Sequence, residues 1–304
     1  MGSGAVRYRE VTTKSALTRV QGMPFTWSLN PYVGCSHSCG YCYARQYHAL
    51  RGRDTGAGFD REVDVKMNFA DVLRAELRHL RLRELVALGT ATDPYQPCEG
   101  RYRLTRRTLE ALLESPLPLT VITKGTLVVR DIDLYTKLAR RGDVRICVSI
   151  GTVDAAIARG AEPEAPPPRA RLEAVRRLRA AGLAAGVLAA PILPDLTDSE
   201  ASLDAIAAAA RANDAAFFST RPLKLDPDVR PHYFAFLAQE FPVLLPMANA
   251  RFADRVNPDR RYVEALEERV KRIRRTYGFE EEGFERKVEA ASRRDAAAQL
   301  RLAI

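Results

Sequence analysis

The chain has 304 residues, 46% hydrophobic and 28% charged, with a formal net charge of +9. That length can bury a substantial core in one large domain or two ordinary ones, and no uninterrupted apolar run approaches the ~18 residues that cross a bilayer, so a soluble protein without a membrane partner is expected. The start, Met1 to Arg7, shows no apolar segment behind a basic one. No secretory signal is therefore visible, and the cytoplasm is the expected location.

Five cysteines, clustered three to two, do not suggest a disulfide framework, so reduced thiols are expected. The positive charge comes mostly from arginine. It reads either as a compositional bias toward Ala and Arg or as the footprint of a polyanionic partner held through its phosphates, and charge alone does not choose.

In chain order the first distinct feature is NPYVGCSHSCGYCYARQYH at 30–48, which interleaves Cys35, Cys39 and Cys42 with Tyr32, Tyr41, Tyr43 and Tyr47. Beyond it, short apolar runs recur between amphipathic segments. The runs are ELVALGTATD (84–93), LTVITKG (119–125), VRICVSIG (144–151), GVLAAPILPD (186–195) and AAFFSTRPLKL (215–225). Near-continuous apolar character marks strands buried on both faces of a parallel sheet.

Between these runs, DIDLYTKLARRG is expected to stop at Gly142 and RARLEAVRRLRAAG at Gly182, each glycine in the left-handed position after a helix. AEPEAPPPR (161–169) reads as a stiff, Pro-rich surface excursion. Thr197 and Glu200 form a capping-box pattern before ASLDAIAAAARA. Repeated βα units predict a parallel sheet curved like a barrel, with function at the strand C-termini. After about residue 245 the rhythm ends. RRYVEALEERVKRIRRTYG then places Val263, Leu266, Val270 and Ile273 on one stripe, predicting a C-terminal helix packed across the barrel wall, and EEGFERKVEAASRRDAAAQLRLAI reads as a charged helix or frayed tail. The expected organisation is an N-terminal segment at 1–23, a core barrel at 24–245 carrying the thiol loop at 35–42, and a helical extension at 246–304.

Three thiolates in a C-x3-C-x2-C loop repel one another unless a metal or cluster compensates their charge. A structural zinc site would want a fourth ligand, which His37 or His48 could supply, although no second pair of ligands is evident. The alternative is a [4Fe–4S] cube, for which three cysteines leave one iron open to a substrate or cofactor. Cys98 could close that position in principle. His37 reads either as a donor to a cluster sulfide or as a surface residue, and Arg45 either as a cation beside the loop or as a solvated helix residue.

C-x3-C-x2-C with Tyr41 just before the last cysteine, early in a βα pattern, resembles the radical S-adenosylmethionine (radical SAM) superfamily. KSALTRVQGMPFTWSLNPYVGCSHSCGYCYAR, ALGTATDPYQPCEGRYRLTR, VITKGTLVVRD and RLEAVRRLRAAGLAAGVLAAPILPDLTD narrow the likeness to its spore photoproduct lyase-like group, including the actinobacterial-type members, over most of residues 14–225. The resemblance implies an α/β fold, a partial (β/α)6 TIM-type barrel with a C-terminal helical extension. It also implies a [4Fe–4S] cluster on Cys35, Cys39 and Cys42 whose open iron takes S-adenosylmethionine, reductive cleavage to a 5′-deoxyadenosyl radical, hydrogen abstraction from substrate, and an electron donor such as a flavodoxin or ferredoxin.

By the same resemblance, Thr92 and Asp93 in TATDPYQP match the motif for the cofactor's amino group, and a hydroxyl beside a carboxylate at a strand end suits an ammonium. The bland alternative is that Asp93-Pro94 only opens a turn. Lys124 matches a cofactor contact and can reach a carboxylate. Ser149 matches a ribose contact, Ala190 and Pro191 match the segment lining the adenine, and Tyr41 and Tyr43 match tyrosines near the cluster, with core packing as their alternative.

The chain departs from the lyase at Ala91, where that enzyme has the cysteine that returns a hydrogen atom, so photoproduct repair by the same route is not expected. Cys98, in the loop leaving the strand end, is the candidate hydrogen donor, with Tyr95 competing. Cys147 lies on the face of Ser149, about 7 Å along the strand, and reads as a small buried hydrophobe. Arg101, Arg103, Arg106 and Arg107 read as phosphate contacts for a nucleic acid or as an exposed helix face. Three functions follow: a radical enzyme on nucleic acid, a radical enzyme on a peptide or small metabolite, and a non-enzymatic zinc- or cluster-binding module.

Overall fold

The computed structural model describes residues 5–79 and 84–279. Its strands are β1 (Arg7–Val11), β2 (Leu17–Arg19), β3 (Trp27–Leu29), β4 (Tyr32–Val33), β5 (Glu62–Lys66), β6 (Val86–Leu88), β7 (Leu119–Thr123), β8 (Val144–Ser149), β9 (Ala184–Ile192) and β10 (Phe218–Pro222). The larger sheet has the order β10-β9-β8-β7-β6-β3-β2, in which the six strands from β3 to β10 pair in parallel and β2 joins antiparallel at one edge. Helices Phe69–His79, Leu104–Glu114, Ile132–Ala139, Pro168–Ala180 and Glu200–Ala212 fill the crossovers. Consecutive parallel strands joined by helices make the partial (β/α)6 barrel.

Each of the five apolar runs coincides with a strand of this sheet, β9 beginning two residues ahead of its run, at Ala184. Their residues pack on both faces: Val86, Ala87, Leu88, Val121, Ile146 and Val187 are fully buried. Each such Val or Leu contributes about 1.5–3 kcal/mol by leaving water. The sixth parallel strand, Trp27–Leu29, has Ser28 at its middle and lies between Thr26 and Asn30, so no apolar run marks it. The second, three-stranded sheet, β1-β5-β4, was likewise not foreseen; Arg9, Glu10 and Asp64 break its apolar pattern.

Helix Arg260–Thr276 packs on helix Glu200–Ala212 and on β10, burying Leu266, Val270 and Ile273. The helix therefore packs on the barrel wall as expected, with Val263 of the stripe only half-buried. The stretch from Glu280 onward lies outside the described residues.

Three local readings are corrected. Gly182 takes φ +77° after its helix, but Gly142 is not left-handed: helix Ile132–Ala139 passes into a right-handed Arg140. The capping box does not form, because Ser199, not Thr197, caps helix Glu200–Ala212, accepting from Ser202 N, while Thr197 Oγ1 accepts from Leu193 N at 2.9 Å. The Pro-rich stretch is no surface excursion at its start, since Ala161 and Glu162 are buried against the cysteine loop.

Candidate active site

The C-terminal ends of the parallel strands collect Asn30, Thr92, Asp93, Lys124, Ser149, Ala190 and Pro191, the face on which parallel barrels place chemistry. The cysteine loop follows β4 through Gly34 at φ +86°, where a Cβ would lie 2.7 Å from Glu62 O. Only glycine fits that approach. The loop is then pinned from several sides: Cys35 N donates to Phe59 O at 3.2 Å, Ser36 N to Gln96 Oε1 at 3.1 Å and Gly40 N to Ala161 O at 3.1 Å.

Arg45 is no solvated helix residue. It is buried, donating to Asp60 at 2.8 and 3.1 Å, to Cys39 O at 3.1 Å and to Thr55 O at 2.7 Å, and it lies over the Phe59 ring. The guanidinium thus gathers the loop and the following turn around one charge.

Cys35 and Cys39 are buried and Cys42 half-buried. Burial pushes the Cys35 thiol well up, and the charges of Asp93, Cys42 and Cys39 add to it. Burial also pushes Cys39 up to about 12, with Lys124 pulling down and Glu162 and Cys42 pushing up. Three thiols that feel one another in a buried loop are costly as free thiolates, and a cationic cluster core relieves that cost, so the donor set fits a cluster. Among the described residues no three His, Cys, Asp or Glu side chains converge on a single metal-ion position. A cube does not ask for that convergence, because each thiolate ligand binds a different iron.

Thr92 and Asp93 stand at the end of β6 but spend their side chains on the protein. Thr92 Oγ1 donates to Gly34 O at 2.6 Å and accepts from Gln96 Nε2 at 2.9 Å. Asp93 accepts from Tyr95 N, Thr123 Oγ1 and Lys124 N at 2.6–2.8 Å and pairs with His37 Nδ1 at 3.4 Å. All four lone-pair directions of the carboxylate are engaged. Burial raises its pKa, but His37 and these donors outweigh burial and hold it at about 2. The surface reading of His37 is corrected, since the ring is buried and tied to Asp93.

Tyr41 is buried and donates to Glu162, whereas Tyr43 is 41% exposed and meets Tyr47 edge-on. Core packing is thus excluded for Tyr43. Lys124 Nζ lies 3.9 Å from Glu162 Oε1 and 5.6 Å from the centre of the Tyr41 ring. Its ammonium is lowered by burial but raised more by Cys39 and Glu162, and it stays charged. Ser149 Oγ donates to Ala190 O at 2.9 Å, so two of the residues matched to the cofactor are linked directly.

Two expected residues lie elsewhere. Cys98 does not open on the site: it is buried in the apolar cluster of the three-stranded sheet with Tyr32, Val63, Val65 and Leu104, and burial, with Glu99, pushes its thiol up to about 12. Tyr95 belongs to the main core, donating to Asp131 at 3.0 Å and sharing a hydrogen bond with Tyr135 at 2.7 Å. Its ring turns inward because Asp131 and Tyr135 satisfy its hydroxyl there. Of the four arginines, Arg106 is engaged by Asp131 at 2.8 Å and Asp133 at 2.9 Å, and Arg101 lies over Tyr102; Arg101, Arg103 and Arg107 are exposed. Cys147 is buried, as expected.

Sequence reasoning missed Glu162, Arg171, Gln96 and Asn30. Arg171 is 1% exposed, donates to Glu162 and reaches Ser149 O at 3.0 Å. Asn30 Oδ1 accepts from Ala91 N at 2.8 Å and so sets the turn in which the missing cysteine would sit. The available signal for Glu162 was a carboxylate ahead of prolines with an arginine nine residues on, which by itself says only solvated turn.

The radical SAM superfamily model matches residues 29–206, more than half the chain, and the chain belongs to that superfamily. It is an enzyme of a family that uses a [4Fe–4S] cluster and S-adenosylmethionine and needs a reductant. The chain is 40% identical over 269 residues to an uncharacterized protein of Mycobacterium tuberculosis strain H37Rv, covering 87% of this chain and 79% of that one. It is 33% identical over 179 residues to an uncharacterized protein of Acidianus two-tailed virus, covering 55% and 56%. In fold it is similar to a spore photoproduct lyase variant at TM-score 0.70 and 13% identity, and to another with bound AdoMet and dinucleoside spore photoproduct at 0.68 and 14%, each covering 89% of this chain and 79% of the other. The reading as a non-enzymatic module gives way. No helix among the described residues is long and apolar enough to cross a membrane.

Proposed function

We propose that Cys35, Cys39 and Cys42 hold the cluster, and that Lys124, Ser149, the Ala190–Pro191 segment, Tyr41 and Tyr43 surround the S-adenosylmethionine that completes it. Bound together, these groups supply the superfamily's reductive, hydrogen-abstracting chemistry. The observation that carries the reading is the placement of three buried or half-buried thiols in one loop whose Tyr41 ring lies 5.6 Å from Lys124 Nζ, with Lys124 bonded through its backbone to Asp93 at the neighbouring strand end. The chain's own contributions are positional. Lys124 keeps a charged ammonium suited to a carboxylate, the Ser149 hydroxyl can exchange its bond to Ala190 for one to a ribose, and Tyr41 seals the loop from water. Thr92 and Asp93 act here by fixing Gly34, His37 and Lys124 in place.

Anaerobic reconstitution with iron and sulfide, then S-adenosylmethionine and dithionite, should yield 5′-deoxyadenosine. Failure to take up iron and sulfide, or to cleave S-adenosylmethionine, would overturn the reading.

For the substrate we propose a nucleic-acid base, processed by a route other than photoproduct reversal because Ala91 carries no S–H bond. The exposed Arg101, Arg103 and Arg107 and the fold shared with a lyase that binds a dinucleoside support it. Binding to DNA or RNA should weaken with salt at a log–log slope of roughly 0.9 per phosphate contacted. Absent or salt-independent binding argues against it. The engagement of Arg106 by Asp131 and Asp133 favours the second reading, a peptide or small metabolite, which deuterium transfer from a labelled candidate into 5′-deoxyadenosine would support.

A further inference from the structure

The turn Ala161–Glu164 touches the cysteine loop at three places. Gly40 N donates to Ala161 O at 3.1 Å, Glu164 N donates to His37 O at 3.3 Å, and the Tyr41 hydroxyl donates to Glu162. Each contact falls between or beside two of the three cysteines. Glu162 is buried, and its carboxylate also takes Arg171 Nη2 and lies 3.9 Å from Lys124 Nζ. Arg171 in turn donates to Ser149 O, and Lys124 to Asp93 through its backbone. One carboxylate therefore links the loop to the ends of β7 and β8.

A buried carboxylate is an expensive way to join a loop to strand ends, and apolar packing would do as well. What it adds is a negative charge one hydrogen bond from Tyr41, which stands between Cys39 and Cys42 in the loop. A charge that close acts on any cluster the thiols hold, because adding an electron next to a buried anion is disfavoured and the reduction potential falls.

We infer that Glu162 is a positioning residue of the cysteine loop, which holds Tyr41 against the strand ends and depresses the potential of the cluster carried there. The inference rests on the cluster assignment of Cys35, Cys39 and Cys42. Arg171 balances the carboxylate so that it stays ionised, and Lys124 remains only loosely held by it, available to a ligand carboxylate.

The test compares full-length wild type, Glu162→Gln and Tyr41→Phe after anaerobic reconstitution, reading iron and sulfide content, midpoint potential by EPR-monitored redox titration, and iron loss to a chelator. Wild type that takes up no cluster defeats the cluster assignment itself. If wild type is loaded, Glu162→Gln should show a midpoint displaced to more positive potential, and Tyr41→Phe, which keeps the charge and removes the tether, should lose iron several-fold faster with its midpoint little moved. An unchanged midpoint in a loaded Glu162→Gln protein overturns the electrostatic role. Should Glu162→Gln fail to fold, Tyr41→Phe decides, and a rate of iron loss equal to wild type overturns the positioning role.

Discussion

Two buried ionic groups in this molecule are built from the same parts and differ in what stands next to them. Against the cysteine loop, Glu162 takes Arg171, Tyr41 and Lys124. Beneath Tyr95, Glu99 and Asp131, both fully buried, take Arg130, Arg106, Tyr32 and Tyr95. The second is the richer network, yet it borders core and the three-stranded sheet, while the first borders three thiols and a strand-end lysine. Burial and pairing alone therefore do not mark chemistry; adjacency to groups left reactive does.

The comparison breaks first at the thiols. Cys35→Ala should abolish cluster iron and 5′-deoxyadenosine formation while the apo protein still melts cooperatively, because the lost Sγ costs only about 1 kcal/mol of packing; iron analysis and calorimetry check this. Asp131→Ala should do the reverse, lowering stability by about 1–3 kcal/mol by removing the buried acceptor of Tyr95, Arg106 and Arg130, although Asp133 and Glu99 still hold the two guanidiniums. Urea unfolding should show the loss, with cluster content per folded molecule unchanged. A loss of cluster without a loss of stability would erase the distinction between the two networks.

Asp93 sharpens it with pH. Its folded pKa of about 2 lies below the value of an unfolded aspartate, so its stabilisation of about 2 kcal/mol is present above pH ~4 and is lost as pH falls through 2. In Asp93→Asn the acid limb of the stability curve between pH ~4 and ~2 should flatten. The smallest effect is expected from Cys98→Ala, about 1 kcal/mol of stability and no change in 5′-deoxyadenosine formation, since the thiol sits in apolar packing. A large loss of substrate turnover in that variant would return Cys98 to the site.

Legibility followed sequence distance. Five of the six parallel strands were readable because burial on both faces makes a near-continuous apolar run, as in Val86–Leu88, and the C-terminal stripe was readable from Leu266, Val270 and Ile273. Trp27–Leu29 was hidden by Ser28 at the middle of its three residues, β4 by being two residues long, and β1 and β5 by the charged residues Arg7, Arg9, Glu10, Glu62 and Asp64 within them. Cys98 was misplaced because a loop leaving a strand end can turn outward to the site or, as here, back under a second sheet.

What the sequence alone determined is the chemistry carried within one short span: the spacing of Cys35, Cys39 and Cys42, and the strand-end positions of Lys124 and Ser149 reached by counting along apolar runs. The tertiary structure alone decided what stands behind them. Tyr41 and Glu162 are 121 positions apart, and Asp93 and His37 meet only because the loop folds over β6. Local spacing specifies a ligand set through short-range geometry, whereas the charges that tune and hold that set come from wherever the barrel closes upon it, and no local pattern encodes that meeting.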